Sequence, residues 1–155
     1  MKKTNVIRLL EANNIPFSTS EYEFDEDALD AVSVAKKIDA EPEKVFKTLV
    51  AEGNDNNYYV FVIPGNYELD LKKAAKASNT KKIEMIKMKD LLNVTGYIRG
   101  GCSPIGMKKQ FPTFIDESAN MFNTIHISAG VRGVQLLIAP AELAGLINAE
   151  FCDLV

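Results

Sequence analysis

The sequence predicts a single domain of the α+β class, covering residues 1–155. Segments whose apolar residues recur with helical spacing are interspersed with short alternating or wholly apolar segments, and the order lacks the regular rhythm of βαβ units. A chain of 155 residues is long enough to bury a core, and 46% hydrophobic with 25% charged residues is typical of a globular protein. These observations favour a mixed sheet flanked by helices.

The first part of the chain predicts a helix, a strand and a second helix. Thr4 can cap a helix that ends at Asn13-Asn14, and Pro16 requires an extended exit from it. Polar and apolar residues alternate over 17–24, which indicates a half-exposed strand. The second helix runs from about residue 30 to residue 38, with its small and branched apolar residues facing inward.

A central strand is predicted over 45–50, because apolar residues occupy both of its faces. Lys47 lies in this strand, and its ammonium cannot easily reach bulk water from either side. Such a lysine lines a cleft, pairs with an acid or has a lowered pKa. The alternatives are a salt bridge to a nearby carboxylate and a side chain that extends past the strand end; we favour the cleft.

The remaining elements follow the same rules of spacing and capping. A hairpin loop at 53–57 leads to a returning strand at 58–63, and Asp70 can cap a lysine-rich helix that reaches Ala77. Pro140 is predicted to open the last helix, which ends at Ile147. The other predicted elements are a strand at 83–85, a helix at 87–92 and strands at 111–116, 123–128 and 134–139.

The net charge of −3 conceals a strong asymmetry along the chain. Residues 1–71 sum to −7, residues 72–109 to +8 and residues 110–155 to −4. A concentrated positive block in an acidic protein indicates a polyanionic partner, nucleic acid first, although a solvated lysine-rich helix face is the alternative. The candidate nucleic-acid-binding residues in this block are Lys72, Lys73, Lys76, Lys81, Lys82, Arg99, Lys108 and Lys109.

The stretch Thr95–Lys109 holds four glycines and a proline. Adjacent glycines, here Gly100 and Gly101, let a backbone approach a ligand and present its N–H groups. A tight turn between two elements would produce the same pattern, and the residues alone leave both interpretations open.

Several classes of protein are excluded or disfavoured. No apolar run approaches the roughly 18 residues that a membrane span needs, and the N-terminus lacks the apolar stretch of a signal peptide. Cys102 and Cys152 form neither a CxxC pair nor a disulfide framework, so a reducing cytoplasm is expected. With His126 as the single histidine, we expect no metal site and no cofactor.

Three segments taken together, 45–50, 95–109 and 127–133, resemble the YbaK/EbsC family of aminoacyl-tRNA deacylases. This family is related to the editing domain of bacterial prolyl-tRNA synthetases, and the resemblance implies a curved, barrel-like mixed sheet flanked by helices. It implies that cysteine mischarged on proline tRNA, and also cysteine on its own tRNA, is removed, with Lys47, Gly100 and Gly101 as catalytic residues. The substrate-binding residues that it implies are Tyr22, Thr48, Ser128, Gly130 and Gln135.

The resemblance also implies an unusual mechanism. The sequence offers no convincing nucleophile–base pair, because Ser103, Ser128 and Cys102 have only His126 to share. A cysteinyl ester carries its own thiol, which can attack its own carbonyl while the protein orients the ester and stabilises the oxyanion. The expected partners are the acceptor end of aminoacyl-tRNA and prolyl-tRNA synthetase, not DNA or a membrane. The alternatives are an editing deacylase for another small amino acid, such as alanine on proline tRNA, and a non-catalytic tRNA- or synthetase-binding module.

Overall fold

The computed structural model describes residues 3–155, and within them helices and strands alternate irregularly, as the α+β prediction requires. The helices are α1 (Asn5–Ala12), α2 (Ala31–Lys37), α3 (Leu71–Ser78), α4 (Leu91–Thr95) and α5 (Pro140–Ile147). The strands are β1 (Ser18–Glu21), β2 (Phe46–Gly53), β3 (Tyr58–Pro64), β4 (Ile83–Met85), β5 (Thr113–Asp116), β6 (Ile125–Ser128), β7 (Val134–Ile138) and β8 (Glu150–Cys152). The sequence reading missed β8, and the helix expected at 87–92 is a 3-10 turn followed by α4.

The helix ends follow from local side-chain chemistry. Thr4 Oγ1 accepts a hydrogen bond from the N–H of Ile7 at 3.2 Å, and Asp70 accepts from the first turn of α3. Asn79 ends α3 in the left-handed conformation, with φ of 56°. Pro140 occupies the first turn of α5, as predicted, because its missing N–H has no intrahelical partner there.

The strands form two sheets. One has five strands in the order β4-β2-β3-β5-β8, and the other has three in the order β1-β7-β6. β2 and β3 form an antiparallel hairpin, whereas β5 runs parallel to both β3 and β8. The central position of β2, between β4 and β3, agrees with its apolar faces.

The two sheets meet at a single bridge in which Val45 pairs with His126, in parallel. The expected barrel-like closure is therefore not found in the described part of the chain, where neither sheet closes on itself. Along the same edge of β2, the pairing with β4 extends only from Ala51 to Gly53, so the strand segment between this pairing and the bridge has no neighbouring strand on that edge within residues 3–155. This arrangement leaves a space between the sheets.

β2 separates two apolar clusters. Phe46 and Val50, on one face, pack with α1, α5 and strands β6 and β7 in the larger cluster. Ala51, on the opposite face, packs with Phe61 and with the inner face of α3. No helix in residues 3–155 combines the length and the apolarity needed to cross a bilayer.

Candidate active site

A cavity of about 320 Å³ occupies the space between the two sheets. Its wall is built from β2, from the first turn of α2, from the segment around α4, and from the glycine loop, with single contributions from β6 and β7. The lining residues on which the argument depends are Asp30, Lys47, Thr48, Gly100, Cys102, Ser128 and Gln135.

The cavity exists because β2 has a gap along one edge. At one end of the gap Val45 pairs with His126, and at the other end Ile86 N–H donates to Val50 O at 3.1 Å. Because successive main-chain groups of a strand point to opposite edges, those of Thr48 point towards the same edge as those of Val50, into the gap. A strand edge without a neighbour presents a hydrogen-bond donor and an acceptor to a ligand.

Lys47 lies half-buried in the cavity wall, as the sequence predicted for a lysine in an apolar strand. Its Nζ donates to the carbonyl oxygen of Gly65 at 3.3 Å, and no carboxylate of residues 3–155 lies within 4.0 Å of it. Burial lowers the pKa of Lys47 below its ordinary value, and the more distant charges of Glu68 and Asp30 offset part of this effect. The lysine therefore lines a cleft rather than forming a salt bridge.

Asp30 is a cavity residue that sequence reasoning did not identify. Its carboxylate caps α2 by accepting hydrogen bonds from the N–H of Ser33 at 3.1 Å and its hydroxyl at 2.7 Å. These hydrogen bonds lower the pKa of Asp30, and the charge of Arg99 contributes to the lowering. The signal was present in the sequence as an aspartate–serine pair three residues apart at a helix start.

Three polar side chains enter the cavity from different strands. Ser128 on β6 pairs in register with Gln135 on β7, and both are buried. Ser128 Oγ accepts from the N–H of Gly130 at 3.1 Å. Gln135 Oε1 and Thr48 Oγ1 are buried without a hydrogen-bond partner among the described residues. Because buried polar atoms are normally paired, both atoms have capacity left for a ligand.

The two glycines of the loop differ in what their amides can do. Gly101 N–H donates to Ile98 O at 2.9 Å, so it is occupied in a turn. Gly100 lines the cavity with φ of 86°, and no acceptor among the described residues takes its N–H. The sequence predicted that the amides of both glycines face the ligand. Of the two, Gly100 has a free N–H and lines the cavity, whereas the N–H of Gly101 is used inside the loop.

The candidate nucleophiles are not arranged for attack on a substrate. Ser103 is fully buried and accepts a hydrogen bond from Ile105 N–H. Burial raises the pKa of Cys102 to about 12, which keeps its thiol protonated near neutral pH. His126 lies outside the cavity wall, and burial, together with the charge of Lys44, lowers its pKa. Within residues 3–155 no three His, Cys, Asp or Glu side chains converge in a way that could hold a metal ion.

Two further predicted substrate-binding residues, Tyr22 and Gly130, are not part of the cavity wall. Tyr22 follows β1, and its N–H donates to Gly133 O at 2.9 Å. Gly130 lies against Val6, where an added Cβ would come within 2.9 Å of Val6 Cγ2. The connection of Gly130 with the cavity is the hydrogen bond that its N–H donates to Ser128 Oγ.

The predicted tRNA-binding cations occupy several surfaces. Arg99 is in the cavity wall, and Lys108 packs against Gly96, while Lys109 lies over the Phe111 ring at 6.0 Å. Lys73 is bound to Asp153 at 2.9 Å, and exposed Lys82 pairs with Glu84 at 3.1 Å. The exposed lysines that complete the predicted set are Lys72, Lys76 and Lys81.

Comparison with known proteins agrees with this geometry. Residues 25–146 match the family model described as the aminoacyl-tRNA editing domain. The chain is 51% identical, over 99% of its length and 93% of the relative's, to a protein of Enterococcus faecalis that is provisionally named Cys-tRNA(Pro)/Cys-tRNA(Cys) deacylase EbsC. It is 25% identical to the uncharacterized protein YwhH of Bacillus subtilis, over 79% of this chain and 77% of that protein.

Solved structures show the same fold at lower identity. The crystal structure of the hypothetical protein APE2540 superposes with a TM-score of 0.89 at 18% identity, covering 97% of this chain and 99% of that chain. A protein provisionally described as a trans-editing enzyme for prolyl-tRNA synthetase gives a TM-score of 0.83 at 23% identity, over 99% and 98% of the two chains. The chain therefore belongs to the YbaK/EbsC family of aminoacyl-tRNA editing domains.

Proposed function

We propose that this protein is a trans-editing deacylase that removes cysteine from Cys-tRNA(Pro) and from Cys-tRNA(Cys). The observation that carries the proposal is the cavity at the gap in β2, where Lys47, Gly100 and two unpaired polar side chains converge. The EbsC relative, 51% identical over nearly the whole chain, is named for this activity and supports the assignment. The protein would act in the cytoplasm, on tRNA that a synthetase has released.

The thiol of the substrate acts as the nucleophile. Cys102 has a raised pKa, Ser103 is buried and His126 lies outside the wall. Ser128 Oγ in the wall is hydrogen-bonded to the N–H of Gly130 and to no base among the described residues, so these residues offer no activated nucleophile at the cavity. The cysteinyl sulfur attacks its own carbonyl carbon, a sulfur–carbon bond forms, and the ester bond to the ribose oxygen breaks. The thiol proton ends on the released ribose hydroxyl, and the second product is a cyclic thiolactone.

The protein contributes orientation and charge stabilisation. Gly100 N–H and the main-chain N–H of Thr48 are suited to donate to the oxyanion that develops on the carbonyl. The ammonium of Lys47 adds positive charge at the same cavity, and Gln135 Oε1 is an acceptor suited to the α-ammonium of the aminoacyl group. The cavity holds the cysteinyl group in a conformation that places its sulfur next to its own carbonyl carbon. The attack is then intramolecular and avoids the entropy cost of bringing two separate molecules together.

The test is the half-life of the acyl ester with and without the protein, for cysteine, alanine and serine each carried on proline tRNA. We expect only the cysteinyl ester to be shortened, with release of a thiolactone. Loss of the alanyl ester instead would show that the protein is an editing deacylase for alanine carried on proline tRNA. Loss of the seryl ester at the same rate as the cysteinyl ester would overturn the thiol mechanism.

A non-catalytic tRNA- or synthetase-binding module is the second candidate, favoured by the excess of cations over 72–109. Such a module would bind Cys-tRNA(Pro) and leave its half-life unchanged. The same measurement therefore separates the two candidates.

A further inference from the structure

A second surface adjoins the cavity, on the segment Met85–Arg99, which we call the lip. Residues of the lip form one wall of the cavity; they are Met85, Ile86, Met88, Leu91 and Arg99. An open groove of about 500 Å³ also uses Met85 and Ile86 in its lining. The lip therefore connects the cavity with a neighbouring surface groove.

The lip exposes apolar side chains that the fold does not cover. Met85 is 42% exposed, Met88 59%, Leu92 52% and Ile98 47%. These are four of the nine large apolar residues that are exposed in the described part of the chain, gathered within fourteen positions. Met85 and Met88 also line the cavity, and exposed apolar side chains beside a cavity indicate an interaction surface. Methionine adapts its shape to a partner and makes favourable contacts with aromatic rings.

Cations are interleaved with these apolar residues. Lys87, Lys89 and Arg99 are exposed, and no carboxylate of residues 3–155 lies within 4.0 Å of their charged nitrogens. Lys108 adds a fourth positive charge beside α4, where its Nζ donates to Asn93 O at 3.4 Å. The acidic residues near this surface are Asp90 on the lip, Asp30 across the cavity from the lip, where it interacts with the charge of Arg99, and Glu52 and Glu84 in the groove, where Glu84 is paired with Lys82.

We propose that the lip binds the single-stranded 3′-terminal nucleotides of tRNA and guides the terminal ester into the cavity. The bases rest on Met85 and Met88, while Lys87 and Lys89 contact the phosphates. This deepens the deacylase function proposed above and rests on it. Alternating apolar contacts and cations suit a strand whose bases and phosphates alternate in the same way, and the ester is joined directly to the last of these nucleotides.

The lip fits this role better than the lysine-rich helix α3. No residue of α3 lines the cavity, and its inner face packs in the apolar cluster around Ala51 and Phe61. The charge of Lys73 is already used by Asp153. Lys72 and Lys76 remain exposed, but neither lines the cavity or the adjoining groove.

The experiment compares two paired substitutions, Lys87→Ala with Lys89→Ala on the lip and Lys72→Ala with Lys76→Ala on α3. We expect the lip variant to raise the KM for Cys-tRNA about tenfold and to keep kcat within twofold. The slope of log affinity for tRNA against log salt concentration should become smaller by about 1.4, the value for two lost contacts to single-strand phosphates. Its turnover of cysteine esterified to adenosine alone, which has no phosphate, should be unchanged. Met88→Ala should raise KM about fivefold, and Met121→Ala, another exposed methionine, should not.

The outcomes separate this proposal from the deacylase function. If wild-type protein leaves every ester intact, the deacylase function fails, and binding of uncharged tRNA by the two variants still tests the lip. Equal losses of tRNA affinity in the lip and α3 variants, or a loss confined to the α3 variant, would overturn the proposal that the lip binds tRNA. A lip variant that binds tRNA normally but loses only its affinity for prolyl-tRNA synthetase would assign the surface to a protein partner and overturn the RNA proposal.

Discussion

Ser128 on β6 and Gln135 on β7 are register partners, and both side chains line the same cavity. Ser128 is satisfied by the N–H of Gly130, whereas Gln135 Oε1 has no partner among the described residues. One strand pair thus presents an oriented hydroxyl and an unsatisfied amide oxygen side by side. We propose that this pair binds polar groups of the substrate and takes no part in bond making.

The first prediction concerns Gln135. Gln135→Met keeps the volume but removes the unpaired oxygen, so the free energy of unfolding should stay equal or rise by about 1 kcal/mol. The KM for Cys-tRNA should rise at least tenfold, because the acceptor for the α-ammonium is lost. Thr113→Val, at a buried polar residue outside the cavity wall, is the control and should leave KM unchanged. An unchanged KM in the methionine variant would exclude Gln135 from substrate binding.

The second prediction concerns Lys47. Lys47→Met should lower kcat/KM at least 100-fold, a loss of about 2.7 kcal/mol of transition-state stabilisation. The same change should raise the free energy of unfolding near pH 7 by about 1 kcal/mol or less, because it removes a partly buried ammonium. A variant that is both less active and more stable is the expected result of removing a functional charge.

Lys47 also predicts a pH dependence. Its folded-state pKa lies below the ordinary value of 10.5, so between these two values the unfolded chain binds more protons than the folded one. The stability contributed by this group therefore rises with pH in that window. Denaturant unfolding of the wild type and of Lys47→Met should be measured at a series of pH values. The difference between their free energies of unfolding should shrink towards pH 10.5, and a constant difference would contradict the lowered pKa.

The third prediction concerns Cys102. Since burial raises its pKa from 9.0 to about 12, this thiol should react slowly with iodoacetamide at pH 8, and Cys102→Ala should keep kcat within about threefold. As pH rises, the Cys102 thiol loses its proton at a lower pH in the unfolded chain than in the folded chain. Its contribution to the free energy of unfolding is therefore fully present below pH 9 and is lost as pH rises towards 12. At pH 10 this loss is about 1.4 kcal/mol and should be absent in the alanine variant. Loss of activity on mild alkylation would contradict this assignment.

The fourth prediction separates the glycines of the loop. Gly101→Ala should destabilise the fold by about 1–3 kcal/mol, because the added Cβ would lie 3.2 Å from main-chain atoms of Val131 and Arg132. Gly100→Ala meets the flexible Leu29 side chain at 3.1 Å and must adopt a positive φ, so its main effect should be on kcat through the displaced amide. Gly145→Ala, in α5 with no atom from another part of the chain within 4 Å of the new Cβ, should stabilise by about 0.5–1 kcal/mol and leave activity intact. Thermal unfolding and turnover of the three variants provide the check.

Much of the local structure could be predicted from the sequence, since it depends on neighbours along the chain. Thr4, Asp70 and Pro140 marked helix starts that the structure confirms, because capping involves residues one to three positions apart. β8 was missed because its three residues, Glu150–Cys152, become a strand only through parallel pairing with β5. A pattern so short has no periodicity of its own.

The sequence by itself determined which residues are chemically unusual: a lysine inside an apolar strand and a double glycine in a basic loop. Tertiary structure alone decided that β2 has a gap in its edge, that Gly101 N–H is taken by Ile98 O while Gly100 N–H is free, and that the lip rather than α3 borders the cavity. Periodicity encodes which face of a strand is apolar, but not which strand lies beside it. Hydrogen-bond partners and cavity walls come from residues distant in the chain, so they are settled only when the two sheets pack.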